Sequence, residues 1–315
     1  MTTAQEGFAH EDVLVTDAEV AGEHRTLRQD VWRQFKHHKG AVVGLVILTI
    51  IVFASVLGPS LYGRDPFLIE VSNANQSPSA SNLMGTDNLG RDVMARVLIG
   101  GRISLAVGFA AMIFGVFLGT AVGVLAGFFK RLDGPLMRIT DLFLALPILP
   151  LLIVAIVLFR ESLKDALGPN VGIFILVVSM IGITSWMQTA RVVRGDVLAI
   201  REKEFVLAAR SIGSRKRNVV MRHIVPNVLS PVMVAAALGV AVAILTESAL
   251  SFLGLGFPAD FPTWGRLLFD AKDYLQLSPM RVVWPGVMIS LTVMSVNFIG
   301  DGLRDALDPR LRSKG

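Results

Sequence analysis

Cysteine is absent from the 315 residues, and charge is scarce: Asp, Glu, Lys and Arg make up 17% of the chain. An ordinary soluble domain carries about 25%. The missing cysteine excludes a disulfide scaffold and a thiolate metal site. The shortage of charge excludes a disordered chain, which is polar and highly charged. The five histidines (His10, His24, His37, His38 and His223) form no His-x-x-x-His metal pair, and no Gly-x-Ser-x-Gly occurs. Nor is there a Gly-x-x-x-x-Gly-Lys-Ser/Thr phosphate loop, so this chain is not expected to hydrolyse ATP itself. What is abundant is apolar sequence, at 53% of residues, with a mean hydropathy of +0.60. Length alone would suggest two soluble domains at about 150 residues each. The composition indicates instead an all-α polytopic membrane protein. Its net charge of +5 is therefore read loop by loop, and not as a nucleic-acid signal.

A membrane helix needs about 20 mostly apolar residues. Uncharged stretches run over 40–63, 103–129, 142–159, 166–190, 223–246 and 282–300. They predict six transmembrane helices near 41–61, 103–129, 140–160, 171–191, 230–253 and 283–303, the fifth carrying Glu247 inside it. Segments 1–40, 130–139, 191–229 and 304–315 hold 21 Lys and Arg, against 9 in 64–102, 160–170 and 254–282. The positive-inside rule then places both termini in the cytoplasm. The polar, rather acidic first 40 residues are no cleavable signal peptide. Residues 1–40 are expected to form a cytoplasmic tail and interfacial segment, 41–303 a six-helix transmembrane domain, and 304–315 a second cytoplasmic tail. Trp32-Arg33-Gln34-Phe35-Lys36 mixes rings with cations, as an interfacial segment does.

Within the spans, Gly115, Gly119, Gly123 and Gly127 make a smooth stripe for close helix packing. Pro147 and Pro150 each remove a backbone donor and are expected to kink the third span, where Pro147 is a candidate for shaping a pathway. Glu247 is costly at membrane depth and should face the bundle or water, as should Asn297. Asp141 and Asp301 lie near cytoplasmic ends. The external loop 62–102 alternates Asp87, Arg91, Asp92 and Arg96, which fits an internally paired loop. Pro258, Pro262, Trp264 and Pro279 mark 254–282 as a rigid outer loop anchored at the interface.

The longest inside loop, 191–229, is the most informative. Phe205, Ala208, Ala209 and Ile212 fall at i, i+3, i+4 and i+7, one apolar stripe on a short helix. Gly213 follows where a C-cap belongs. Ser214 is placed to cap a second helix with Val219, Val220 and Ile224 as apolar positions, and Pro226 to stop it. A helix this short needs something packed on it. A lipid surface and a protein groove both qualify, and the small alanine pair favours protein.

Glu204-Phe-Val-Leu-Ala-Ala-Arg-Ser-Ile-Gly213, followed by Arg222-His-Ile-Val-Pro-Asn227, resembles the EAA loop of ATP-binding-cassette importer permeases. Ala208, Ala209, Gly213 and Pro226 fall in register with the general pattern. Leu207, His223 and Val225 stand at its Glu, Ile and Leu positions, as in the dipeptide and oligopeptide branch. Leu83-Met-Gly-Thr-Asp-Asn-Leu-Gly-Arg-Asp-Val93 with Gly101-Arg-Ile-Ser-Leu105 looks like the signature before the second span of that branch's C-type subunit. Thr246-Glu-Ser-Ala-Leu-Ser-Phe-Leu-Gly-Leu-Gly256 with Pro262-Thr-Trp-Gly265 looks like its fifth-span ending.

The resemblance implies a type I ABC importer fold in a bacterial inner membrane. Its implied partners are a B-type permease subunit, two cytoplasmic ATPase subunits carrying ATP and Mg, an external substrate-binding protein, and the lipid bilayer. No cofactor or metal is implied on this chain. It implies ATPase contact through the 201–227 loop at Glu204, Phe205, Ala208, Ala209, Arg210, Gly213, His223, Pro226 and Asn227. Cargo within the family extends from peptides to nickel, glutathione and antimicrobial peptides. An ion-coupled secondary transporter is the rival from another class; it would need ionisable groups near the midplane, where only Glu247 qualifies.

Overall fold

The computed structural model describes residues 27–307. The two terminal tails expected at 1–40 and 304–315 therefore lie largely outside the described residues. Everything regular within 27–307 is helical, apart from one isolated antiparallel bridge between Thr86 and Asp92.

The elements follow in order. Helix α1 spans Leu27–His37 and α2 Lys39–Tyr62. An ordered outer segment leads to α3 (Val93–Phe128), then α4 (Lys130–Ala145), α5 (Ile148–Leu167) and α6 (Pro169–Ile200). A short α7 (Glu204–Ser211) precedes the long α8 (Lys216–Phe252). Helices α9 (Trp264–Ala271) and α10 (Met280–Leu307) complete the chain.

Among the described residues, five helices (α2, α3, α6, α8 and α10) are long and apolar enough to cross a membrane, and the number is six if the bent pair α4 and α5 counts as one broken span. At about 1.5 Å per residue, the 24 residues of α2 reach about 36 Å, enough for a hydrocarbon core of about 30 Å. The observed spans begin or end outside the uncharged stretches. Asp92 accepts from the Ala95 N–H at 2.8 Å and starts α3 ten residues before the expected 103.

The third span departs most from expectation. The chain turns by 89° between α4 and α5, so 140–160 is not one kinked helix. The break falls at Leu146 and Pro147, both extended, with Pro147 at the N-cap of α5. A residue before proline is driven out of the α region, and proline is accommodated most easily at a helix start. Helix α4 is tied across α6 by Asp133 to Arg194 and Asp141 to Arg191.

The glycine stripe packs α3 on α6. A Cβ at Gly119 would lie 2.5 Å from the Trp186 carbonyl oxygen, and one at Gly123 2.7 Å from that of Ala190. Gly115 faces Ser185, and Gly127 faces Val197. At Gly119 and Gly123 the two helices meet backbone to backbone, leaving no room for a side chain larger than hydrogen.

Pro226 does not stop the helix, contrary to expectation. A π turn over Val220–Ile224 precedes it, and α8 continues through to Phe252. The proline ring removes one N–H and crowds the carbonyl four residues back; the wider turn absorbs both effects. Ser214 does not cap α8 either: Arg215 holds the N-cap position, without a side-chain bond.

Candidate functional site

Three places gather the chemistry: the short helix α7 at one end of the bundle, a cavity between α6 and α8, and the cap formed by 63–92 and α9 at the opposite end.

Helix α7 is fastened by one face. Val206 and Ala209 are buried against Val124, Val193, Val197, Val219, Ile224 and Val228. The expected stripe is divided between an inward and an outward face. Of Phe205, Ala208, Ala209 and Ile212, only Ala209 is turned inward, while Ile212 is 83% exposed and Phe205 45%. Successive helical residues lie 100° apart, so seating Val206 swings Phe205 and Ala208 away from the core.

The turn after α7 is a Schellman motif. Gly213 takes φ +79°, its N–H donates to the Arg210 carbonyl at 3.0 Å, and the Ser214 N–H donates to that of Ala209 at 3.1 Å. Arg210 lies 5.0 Å from the Phe128 ring at the end of α3. Arg201 donates to the Gly127 carbonyl at 2.9 Å. His223 stands beside Phe205, ring centroids 6.2 Å apart. Asn227 donates from its side chain to the His223 carbonyl at 2.7 Å. Glu204 is exposed in the first turn of α7, where the helix dipole favours an acid. Pro226 is exposed.

The cavity holds about 480 Å³ and is walled mainly by α6 and α8, with the α4–α5 break and the end of α10 at its edges. Its wall is apolar around a few polar groups: Thr184, Ser185, Gln188, Thr189 and Thr246, with Asp301 and Arg304 from the C-terminal part of α10. The Thr184 and Thr246 hydroxyls donate to carbonyls of their own helices, at 3.0 Å to Met180 and 2.8 Å to Val242. Sequence reasoning missed Thr184, Gln188 and Arg304. Thr184 and Gln188 signalled only as polar residues inside an otherwise apolar stretch, and Arg304 fell in the segment read as a tail.

The expected path residues are placed differently from one another. Pro147 sits at the break, and its neighbours Leu144 and Ile148 line the cavity. Asn297 is half-buried in α10 and does not line it. Glu247 is fully buried in the chain's own packing. It accepts from Ser251 Oγ at 2.7 Å and from Ser104 Oγ at 3.3 Å, and Ser104 in turn accepts from the Trp264 N–H at 3.1 Å. Thr263 caps α9 and lies 3.4 Å from Ser251. Glu247 thus ties α3 and α8 to the outer loop.

The alternating charges of the outer loop are internally paired and buried. Asp87 accepts from Arg91 Nε at 2.7 Å and Arg96 Nη1 at 3.2 Å. Asp270 on α9 takes Arg96 at 3.4 Å and Arg266 at 2.9 Å. Burial pushes the Asp270 carboxyl up from its ordinary value, against the pull of Arg266 and Arg91. Asp92 serves elsewhere: besides capping α3, it accepts from the Tyr62 hydroxyl at 2.9 Å.

With that geometry, the comparisons decide the family. Residues 115–313 match the model for the binding-protein-dependent transport system inner membrane component, and residues 26–83 match the N-terminal TM domain of oligopeptide transport permease C. The chain belongs to this permease family. It is 40% identical to the dipeptide transport system permease protein DppC of Alkalihalophilus pseudofirmus, over 90% of each chain. It is 37% identical to the oligopeptide transport system permease protein OppC of Bacillus subtilis, over 94% of each. Among solved structures, an inward-facing form of the MetNI methionine ABC transporter aligns with a TM-score of 0.55 at 19% identity, covering 69% of this chain and 98% of that one. That likeness shows a shared permease fold.

Proposed function

We propose that this chain is the C-type membrane subunit of an ATP-driven importer of dipeptides or oligopeptides in a bacterial inner membrane, with both termini cytoplasmic. The names of its relatives supply the cargo class. The observation that carries the mechanism is α7: its Val206–Ala209 face is locked into the bundle, and its Phe205–Ala208–Ile212 face is left open. A short helix with one fixed and one open apolar face transmits force if a partner grips the open face.

That partner is an ATPase subunit, which carries ATP and Mg. A B-type subunit completes the membrane pair, and an external binding protein delivers peptide to the outer cap. Closure of the ATPase dimer pushes α7, and through α7 the joined ends of α3, α6 and α8, as a rigid body. The cavity between α6 and α8 is this chain's share of the translocation path. Gln188, Thr246, Asp301 and Arg304 meet cargo there, and Glu247 holds the outer loop in place from behind.

The test is purification of the tagged chain from its host in mild detergent, alongside Ile212→Glu. Two ATPase chains and a second polytopic subunit are expected with the native chain, and loss of the ATPases alone with the variant. A chain that purifies alone or as a homodimer would move the ion-coupled transporter to the front. Uptake of labelled di- and oligopeptides against nickel and glutathione then assigns the cargo.

A further inference from the structure

We infer that α1 is a headgroup clamp: its outward arc binds anionic phospholipid and anchors the cytoplasmic end of α10. The inference rests on the proposed function only for which side is cytoplasmic; otherwise it needs that α2 spans a bilayer. Helix α1 ends one residue before α2 begins, with His38 between them. The N-terminus of a spanning helix lies at headgroup level, so α1 lies there too.

The apolar side of α1 is already occupied. Phe35 is buried with Ala41 and Ala306, with Val31 packed against them. A Cβ at Gly302 would come within 3.3 Å of the Phe35 ring and closer still to Ala41, so α1, α2 and α10 meet without slack. The His38 ring accepts from the Ala41 N–H at 2.9 Å and stands 3.7 Å from Asp305. This helix has no apolar face left to sink into lipid, unlike an ordinary amphipathic anchor.

What remains outward is Trp32, 52% exposed, with Arg33, Lys36, His37 and Lys39. Trp32 stacks on Phe35 at 5.9 Å, and Lys36 stands 5.0 Å from its ring. Among the described residues, no carboxylate pairs with Arg33, Lys36 or Lys39. A tryptophan bordered by exposed cations at headgroup depth matches phosphate-bearing, negatively charged lipid. Helix α10 turns Gly302 and Ala306 toward this anchor while Asp301 and Arg304 line the cavity. Lipid held at α1 therefore fixes the fulcrum at the cavity's cytoplasmic mouth.

The native chain lacks cysteine, so His37→Cys gives one site for an environment-sensitive fluorophore on this subunit. The complex carrying the unsubstituted chain, treated identically, supplies the background. The labelled complex goes into nanodiscs of phosphatidylcholine alone or with phosphatidylglycerol. A blue shift with phosphatidylglycerol is expected, reversed by high salt and lost in Arg33→Gln/Lys36→Gln/Lys39→Gln. Trp32→Ala reduces the shift without abolishing it. The three glutamines lie on the surface, and unchanged size-exclusion behaviour of that variant confirms its fold. Identical emission in both lipids overturns the inference, as does a shift that the triple variant retains. A shift that follows ATPase binding regardless of lipid also overturns it and assigns the arc to a protein contact.

Discussion

Glu247 separates two roles that the sequence alone left together. A lone acid inside an apolar stretch is costly enough to demand a purpose, and both a cargo contact and a structural tie satisfy that demand. The structure gives it hydroxyl partners on α3 and α8 and full burial, away from the cavity wall. Glu247→Gln keeps the shape and can still bond both hydroxyls, so thermal unfolding in detergent should stay within about 1 kcal/mol of native. Glu247→Ala orphans Ser104 and Ser251 and should cost about 1–3 kcal/mol. Peptide uptake should follow stability, with Gln near native and Ala reduced. Uptake abolished by Gln at native stability would instead make Glu247 a cargo contact. Its depth and cost were legible in the sequence. Its partners were not, because Ser104 lies 143 residues away and no periodicity links them.

At the scale of elements, α7 shows how far local pattern reaches. The helix, its glycine stop and its need of a partner were all legible from spacing. Which face would be buried was not. Phe205, Val206, Leu207 and the alanines offer two overlapping apolar stripes, and tertiary packing on Val193, Val197 and Ile224 selects the one through Val206. The same limit hid the π turn before Pro226 and the right-angle break before Pro147. A proline announces a lost donor, but not whether the helix ends, breaks or widens around it. The two faces of α7 yield a paired prediction. Ala209→Glu places a charge in the buried seam and should lower stability by several kcal/mol. Ile212→Glu leaves the seam untouched and should change stability by no more than about 0.5 kcal/mol, while releasing the ATPase subunits. Thermal unfolding and pull-down on both variants check this. Equal destabilisation by the two would place Ile212 in the core.

For the whole molecule, the two ends of the bundle are built on opposite principles. The end that carries α1 and α7 leaves an apolar face and a basic arc open, the surfaces proposed above to meet partners. The outer end pairs its charges internally: Asp87 and Asp270 draw Arg91 and Arg96 from the α3 entry and Arg266 from α9 into one cluster. A receiving surface for an external protein has to be rigid, because any looseness there is ordering entropy charged against docking. Asp87 is the member to test. It accepts from two guanidinium groups and from the backbone N–H of Leu89 and Arg91, at 2.8 and 2.9 Å. Asp87→Asn leaves Arg91 and Arg96 buried against a neutral amide, and should cost about 3 kcal/mol in unfolding. Because the cluster acts as a unit, adding Arg96→Met should recover part of that loss, a non-additive result in a double-mutant cycle. Docking of the binding protein should weaken in the single variant through loss of rigidity. Proteolysis within 63–92 should therefore quicken before any change in α7-dependent ATPase retention. If that retention fails first, the two ends are mechanically one body, and the outer cluster belongs to the coupling route and not to the docking platform.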